Sequence, residues 1–395
     1  MLQVPWCRFV FGCEIRFWQR TTGLIVSIVI LLLGVSGCHS QPAAANIARH
    51  DARAPQQPHP TQVTPQFDRY VYTQIHMGVQ TRLILYAPNE PLAKAAARKA
   101  FARIAQLESV MSDYRADSEL SQLCAAQSET WIPVSDDLFR ILQIARTWAA
   151  RSDGALDMTL GPLTKLWRQA RHEGVMPSAE TIAHARERTG WRFVELRKRD
   201  RAVRLLHSGM ELDLGAVGKG FAADEALKTL AKMGIHRALV EIGGDIALGD
   251  GPPSRTDEDQ RNTQKNGSLW NVAIETGYGA APHPRIRAAN LGIATSGDTE
   301  QYIQIEGSHY SHILDPATGL GLTTRSAATA VAQTGASADA VASIVCVLGP
   351  ERAAAFVCQT ERRYEPLGVR MVVDGRVFRF GSLAAYVEAP GDELD

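Results

Sequence analysis

Hydrophobic positions follow three rhythms along this chain: one unbroken run near its start, alternation in short stretches, and recurrence every three to four residues in longer ones. The run from Gly23 to Val35 is about a dozen residues long and follows Arg8, Arg16 and Arg20. It is short for a bilayer span and fits the hydrophobic region of a signal peptide. Alternation between Tyr70 and Tyr86, where Leu83 and Leu85 face opposite to Ile84, predicts paired strands. Leu92, Ala96, Ala100, Ile104, Leu107 and Met111 then predict a helix over Pro91–Met111, its proline in the first turn where a missing N–H costs little. Leu138, Ile141, Leu142, Ala145 and Trp148 predict a second over Asp136–Arg151, with Ser135 and Asp136 as caps. Ala202–Leu206 and Met210–Leu214 flank His207-Ser208-Gly209 and read as a hairpin that delivers Asp213 at its end. Further strands are expected at Ala238–Ile242, Leu269–Glu275 and Asn290–Ala294, and a helix at Ser337–Leu348. Hairpins interleaved with helices, without a fixed-period repeat, predict an α+β fold of mixed or antiparallel sheets with packed helices.

Composition adds bounds. With 395 residues, 45% hydrophobic and 21% charged, the chain can bury one large core or two modest ones. Lys plus Arg and Asp plus Glu both number 42, so no overall field points to nucleic acid as a partner. Six scattered cysteines (Cys7, Cys13, Cys38, Cys124, Cys346, Cys358) suggest neither a disulfide framework nor a structural zinc site. Only Cys38 has an informative context. Val35-Ser36-Gly37-Cys38 closes the apolar run and resembles the bacterial lipobox, in which small residues admit the signal peptidase and the sulfur receives a diacylglycerol. That resemblance implies a signal peptide over 1–37, a mature chain starting at Cys38, and a lipid anchor holding the protein to the inner or outer membrane of a bacterial envelope, facing the periplasm. An ordinary secretory signal or a short membrane helix with an incidental cysteine is the alternative. Residues 38–66, rich in Pro, Ala, Gln and His, read as a flexible tether, and 67–395 as the globular domain with a polar surface insertion at 251–267.

Several short constellations carry candidate chemistry. Asp213-Leu-Gly-Ala-Val-Gly-Lys219-Gly220 leads into the helical spacing of Phe221, Ala222, Ala226, Leu227 and Leu230. Glycines let backbone approach a ligand, a helix start presents N–H groups, and Lys219 adds charge for phosphate oxygens; the same pattern also serves as a tight connection. Glu241-Ile-Gly-Gly-Asp245 reads as a strand followed by a turn that either faces a ligand or is simply capped by Asp245. Thr295-Ser-Gly-Asp298 offers hydroxyls after a strand. Ser311-His312-Ile-Leu-Asp315-Pro-Ala-Thr318-Gly319 brings an imidazole near a carboxylate around a turn, either as a base with its orienter or as turn structure. Asp339 and Ser343, four apart on one helix face, are hard oxygen ligands suited to Mg²⁺, or else a cap and a packing residue.

Taken together these segments resemble the FAD:protein FMN transferase family, the ApbE-like proteins, in order from about Ile75 to about Gly349. The resemblance is also carried by Met77-Gly78, Ser112-Asp-Tyr114-Arg-Ala-Asp117-Ser118-Glu119, Gly154-Ala-Leu-Asp157-Met-Thr159 with Gly161-Pro-Leu and Leu166-Trp167, Ala294-Thr-Ser-Gly297, and Ala338-Asp339-Ala. It implies FAD as flavin donor, contacted by Met77, Tyr114, Ala155, Leu156, Asp157, Asp213, Lys219 and Ile313. It further implies Mg²⁺ held by Asp339, the Ser343 hydroxyl and the Ala216 carbonyl. An exported flavin-accepting protein would be the partner, receiving FMN on a Thr or Ser hydroxyl as AMP leaves, with His312 taking the hydroxyl proton and Asp315 orienting it. Two residues depart from the family pattern: Ser343 stands where Thr is usual, and Gly218 where Ala precedes the lysine. An FAD pyrophosphatase, with water as nucleophile, and a non-catalytic flavin-binding lipoprotein are the alternatives.

Overall fold

The computed structural model describes residues 67–253, 268–274, 284–298, 302–305 and 307–387. The signal peptide, Cys38, the tether and most of the 251–267 insertion lie outside them. Strand β1 (Asp68–His76) returns on β2 (Val79–Ala87) through Met77 and Gly78, at φ of 51° and 74°. Two consecutive left-handed residues give a turn whose twist matches the paired strands. Helix α1 (Glu90–Met111) follows, capped by the Asn89 side chain on the Leu92 N–H, and then the short α2 (Glu119–Ala125) capped by Ser118. Strand β3 (Ile132–Pro133) leads to α3 (Asp136–Arg151), which starts on the expected Ser135 cap. Next come α4 (Gly161–Glu173), α5 (Ala179–Arg186), β4 (Val194–Arg197), β5 (Ala202–Leu205) and α6 (Gly215–Lys232). The remaining elements are β6 (Ala238–Ile242), β7 (Asp245–Leu248), β8 (Trp270–Ala273), β9 (Arg285–Ala288), β10 (Gly292–Gly297), β11 (Tyr302–Ile305), β12 (Ser308–Ser311), β13 (Ser326–Ala332), α7 (Gly335–Arg363), β14 (Gly368–Val373) and β15 (Arg376–Gly381).

Eight strands form the main sheet in the order β1-β2-β6-β7-β10-β13-β14-β15, and every strand ladder among the described residues is antiparallel. The α+β reading therefore holds, with antiparallel sheets. Period-two alternation sends Leu83, Leu85, Ala238, Val240 and Ala294 toward α1, α6 and α7, while Ile84, Leu239 and Ile293 face Trp270 and Ile286 of the β8–β9 hairpin. Both faces are thus covered, which explains why all seven residues of β13 are buried.

Three sequence expectations are corrected. The hairpin expected around His207-Ser208-Gly209 does not form: β5 pairs with β3 and β4, and the segment after it makes one bridge, Glu211 to Leu160. Met210, Leu212 and Leu214 are drawn into the main core, and the Asp213 N–H donates to the Met158 carbonyl at 2.8 Å. The helix expected over Ser337–Leu348 starts earlier, on a Thr334 cap, and ends where expected: Gly349 (φ 70°) breaks it just before Pro350, and a second helical stretch continues to Arg363. By length and composition α7 could cross a membrane, but its first half is packed among the core residues. The strand expected over Asn290–Ala294 is β10, displaced toward Gly297, because Asn290 takes a left-handed turn conformation (φ 56°). The strand expected over Leu269–Glu275 is β8, and Glu275 lies outside the described residues.

Helices α6 and α7 cross at two glycines. A Cβ on Gly220 would lie 2.1 Å from the Gly335 carbonyl oxygen, so only glycine allows this approach. Asp224 of α6 accepts the N–H groups of Gly335 and Ala336, at 2.8 and 3.0 Å, and so caps α7. Burial pushes its carboxyl up to about 6 against the pull of those two donors. Gly220→Ala is expected to cost at least about 2 kcal/mol in denaturant unfolding, because neither backbone can retreat. A carboxyl whose pKa rises on folding contributes stability that is complete below its unfolded value and lost as pH rises through the folded one. The melting temperature of Asp224→Asn should therefore gain on wild type as pH rises from about 4 to 6; a constant difference across that window would contradict the burial account.

Candidate active site

Antiparallel register gathers the site at one end of the main sheet. Thr81 pairs with Ile242, so the Met77–Gly78 turn and the Gly243–Gly244 turn lie at the same end. Ile293 pairs with Ile246, which carries Thr295, Ser296 and Gly297 of β10 to that end as well. Thr295, Ser296 and Gly297, expected to follow a strand, are thus its last rungs. Gly243 and Gly244 (φ 56° and 91°) make a two-residue hairpin, and Asp245 opens β7 rather than capping the turn.

Asp245 and Asp339 are both nearly inaccessible, with side chains 1% and 2% exposed, and share one cation. Lys219 makes a short contact with Asp245 Oδ2, and its Nζ stands 3.9 Å from Asp339 Oδ1. Asp339 Oδ2 accepts the Gly220 N–H at 3.2 Å, a bond that the Gly220–Gly335 contact permits. Burial and the Asp339 charge push the Asp245 carboxyl up to about 7. Burial likewise raises Asp339. Burial works against the Lys219 charge, yet the two carboxylates outweigh it and hold its pKa above the usual lysine value. Asp245 Oδ1 is buried without a hydrogen-bond partner, so this polar set retains acceptor capacity.

Ser343, one turn beyond Asp339, meets the Ser296 hydroxyl at 3.0 Å. No group of three or more His, Cys, Asp or Glu suited to a metal occurs among the described residues. One carboxylate and one hydroxyl form a sparse, hard oxygen set, which fits a cation such as Mg²⁺ that takes few protein ligands and fills its shell with water and phosphate. Ala216 stands in the first turn of α6, and Ser343 in place of Thr preserves the oxygen.

The other residues singled out in the sequence differ in their surroundings. Met77, at the hairpin tip, has its methyl 3.7 Å from where a Cβ on Gly218 would sit, so the glycine in place of alanine lies beneath that side chain. Asp213 accepts the Gly215 N–H at 2.8 Å at the start of α6. Its charge, after burial, also helps raise the Asp113 carboxyl, which binds Arg168 at 2.6 Å. Arg168 in turn lies 3.8 Å over the Tyr114 ring, which remains 75% exposed. Ala155 is half-buried, whereas the Leu156 side chain belongs to the core. The Asp157 carboxylate accepts the Thr159 N–H and hydroxyl and the Trp191 N–H, at 2.8, 2.6 and 3.0 Å. Its present partners organise its own loop. Ile313 packs on the core, and its N–H donates to Ser311 Oγ. His312 is exposed. Asp315 accepts from the Ala317 N–H and the Thr318 hydroxyl inside its turn.

Arg168 and His309 escaped sequence reasoning as functional candidates, and Asp113, Ser296 and Asp298 stood inside segments noted there without a role of their own. Arg168 adjoins Trp167, whose indole N–H donates to the Gly319 carbonyl at 2.8 Å. Helix α4 thereby links Tyr114 to the His312 turn, a link that its helical spacing alone does not show.

Fold and site define an α+β protein with a lysine between two buried carboxylates at the end of an antiparallel sheet. The chain belongs to the ApbE family, whose model matches residues 77–366. It is 31% identical over 299 residues to the FAD:protein FMN transferase of Treponema pallidum (strain Nichols), covering 73% of this chain and 81% of that one. An FAD:protein FMN transferase of Klebsiella pneumoniae (strain 342) is 30% identical over 312 residues, covering 77% and 84%. Among solved structures, the flavinyl transferase ApbE of Pseudomonas stutzeri in its apo form superposes with a TM-score of 0.66 at 26% identity, over 81% of this chain and 96% of that one. The ApbE protein of Thermotoga maritima shares the fold, with a TM-score of 0.70 at 23% identity over 82% and 100%.

Removing the shared cation strands two buried carboxylates. Lys219→Met is expected to lower unfolding free energy by about 3–5 kcal/mol. Adding Asp245→Asn should recover part of that loss, giving a double-mutant cycle that departs from additivity by more than about 1 kcal/mol. Additive costs would show that Lys219 and Asp245 do not depend on each other.

Proposed function

We propose that the chain is an FAD:protein FMN transferase that moves FMN from FAD to a Ser or Thr hydroxyl of an exported flavin-accepting protein and releases AMP. The observation that carries this reading is the Lys219–Asp245–Asp339 group beside the Ser296–Ser343 hydroxyl pair, in a chain of this family. Lys219 faces pyrophosphate oxygens from the start of α6, where backbone N–H groups add to the positive field. Asp339, the Ser343 hydroxyl and the Ala216 carbonyl would hold Mg²⁺, which when bound neutralises charge on the pyrophosphate. Tyr114 offers an exposed ring for a flavin face, with Arg168 covering its other side. Met77, Ala155 to Asp157, Asp213 and Ile313 contribute further FAD contacts; for Leu156 and Asp157 the backbone and the loop they organise are the relevant surfaces.

The acceptor hydroxyl attacks the FMN phosphorus, its oxygen forms the new P–O bond, and the bond to the AMP oxygen breaks. His312 receives the hydroxyl proton, while Asp315 acts through the turn that it holds. Lipidation at Cys38 and a tether over 38–66 would keep this chemistry on the periplasmic side of a membrane.

The decisive assay incubates a flavin-carrier domain with the chain from Phe67 onward, FAD and Mg²⁺, and reads intact mass. A metal-dependent gain of FMN less water on a Ser or Thr is expected. Unmodified carrier with free FMN and AMP would mark a pyrophosphatase instead, and intact FAD a binding protein. Asp339→Asn should lower transfer at least about 100-fold and raise the Mg²⁺ concentration required. His312→Gln should lower kcat about 100-fold; unchanged turnover would remove His312 from the role of base.

A further inference from the structure

The histidine of the segment Ser308–Ser311, His309, is tied into the structure in a way that proton transfer at His312 does not require. His309 Nε2 meets Asp298 Oδ2 at 2.6 Å, with the Asp298 side chain 1% and the His309 side chain 16% exposed. Asp298 follows β10 directly, and its Oδ1 accepts the N–H of Ser326, the first residue of β13, at 3.2 Å. One carboxylate therefore ties together the end of β10, the start of β13 and the β11–β12 hairpin. The hairpin's other side is held differently: Ile303 and Ile305 pack with Leu163 and Trp167 of α4, and Tyr310 lies 5.2 Å from the Trp167 ring. Apolar contact of that kind fixes where the hairpin lies but resists sliding weakly, whereas a short bond to a buried carboxylate fixes direction.

The contacts form a path between the two halves of the proposed chemistry. Ser343 bonds Ser296, Asp298 stands two residues beyond Ser296, Asp298 binds His309, and His312 follows three residues later. Strand β12 ends at Ser311, whose buried hydroxyl accepts the Ile313 N–H, and Leu314 bridges to Gly321, so movement at His309 passes into a closed turn rather than into slack chain. We propose that His309 is a positioning residue: through Asp298 it sets where His312 stands relative to the helix that carries Asp339 and Ser343. This inference rests on the transferase reading and on His312 as the proton acceptor. An imidazole displaced by about 1 Å from its attack geometry loses up to about 100-fold in rate, so a modest slackening is measurable.

The test compares steady-state FMN transfer by wild type, His309→Gln, His309→Arg, Asp298→Asn, His312→Gln and the double variant His309→Gln/His312→Gln, each checked by thermal melting. Wild-type transfer itself tests the reading beneath the inference. Given that transfer, His309→Gln should lower kcat at least about tenfold while KM for FAD stays within about twofold. His309→Arg, which offers Asp298 an N–H donor, should return kcat to within about threefold of wild type. The double variant should be no slower than His312→Gln alone, because a positioning residue has nothing left to position. Wild-type kcat in folded His309→Gln, or costs that multiply in the double variant, would overturn the inference. Should His309→Gln fail to fold, Asp298→Asn carries the same expectation on kcat and the same refutation. A slow His309→Gln beside a fully active His312→Gln would also overturn it, and would separately defeat the assignment of the base.

Discussion

A lysine ammonium placed between two carboxylates that water cannot reach governs the site. Neither Asp245 nor Asp339 could stay charged in that position alone, because desolvation of an isolated carboxylate costs far more than a fold can spare. Lys219 is the group that lets them coexist, although burial, and after it the Asp339 charge, still raise the Asp245 carboxyl and leave a deficit of positive charge. A ligand that brings further positive charge relieves that deficit, while one that brings phosphate competes with the acids for the lysine. Both tendencies follow from the same arrangement.

That arrangement depends on close backbone approach. The Gly220 N–H reaches Asp339 only because α6 and α7 touch at Gly220 and Gly335. The same crossing puts Asp224 under the first turn of α7, so the helix that carries Asp339 and Ser343 is seated by a buried carboxylate of the helix that carries Lys219. Packing on one side of the sheet, by alanines and glycines as much as by large side chains, is thus what brings the polar end into register.

Three of the residues expected to serve the flavin chemistry lie on turns and loops rather than in the core. Tyr114 has Arg168 on one face, Met77 stands at a hairpin tip, and His312 lies in a turn closed by Asp315. Helix α4 ties two of these together, through Arg168 to Tyr114 and through Trp167 to Gly319. A stiff charged floor and walls on turns suit the proposed chemistry, in which the site admits both a dinucleotide and a protein hydroxyl.

Local pattern determined a good deal by itself. Strand alternation around Leu83, helical spacing from Leu92 to Met111, and the Ser135 cap reappear in the structure because each rests on a few adjacent residues and on solvent exposure. The paired glycines at 243–244 and the Asp339–Ser343 spacing were equally readable, since turn geometry and helix pitch are local properties. Tertiary structure decided the rest. Residues 210–214 left the expected hairpin because core burial and the bond to Met158 outweighed a local turn, and Asp245 proved a buried partner of Lys219 rather than a cap. The bond between His309 and Asp298, and the Asp113–Arg168–Tyr114 cluster, join residues from different elements. No periodicity records such meetings, because they arise from how the sheet end, α4 and the hairpin β11–β12 pack rather than from any property of the segments that meet.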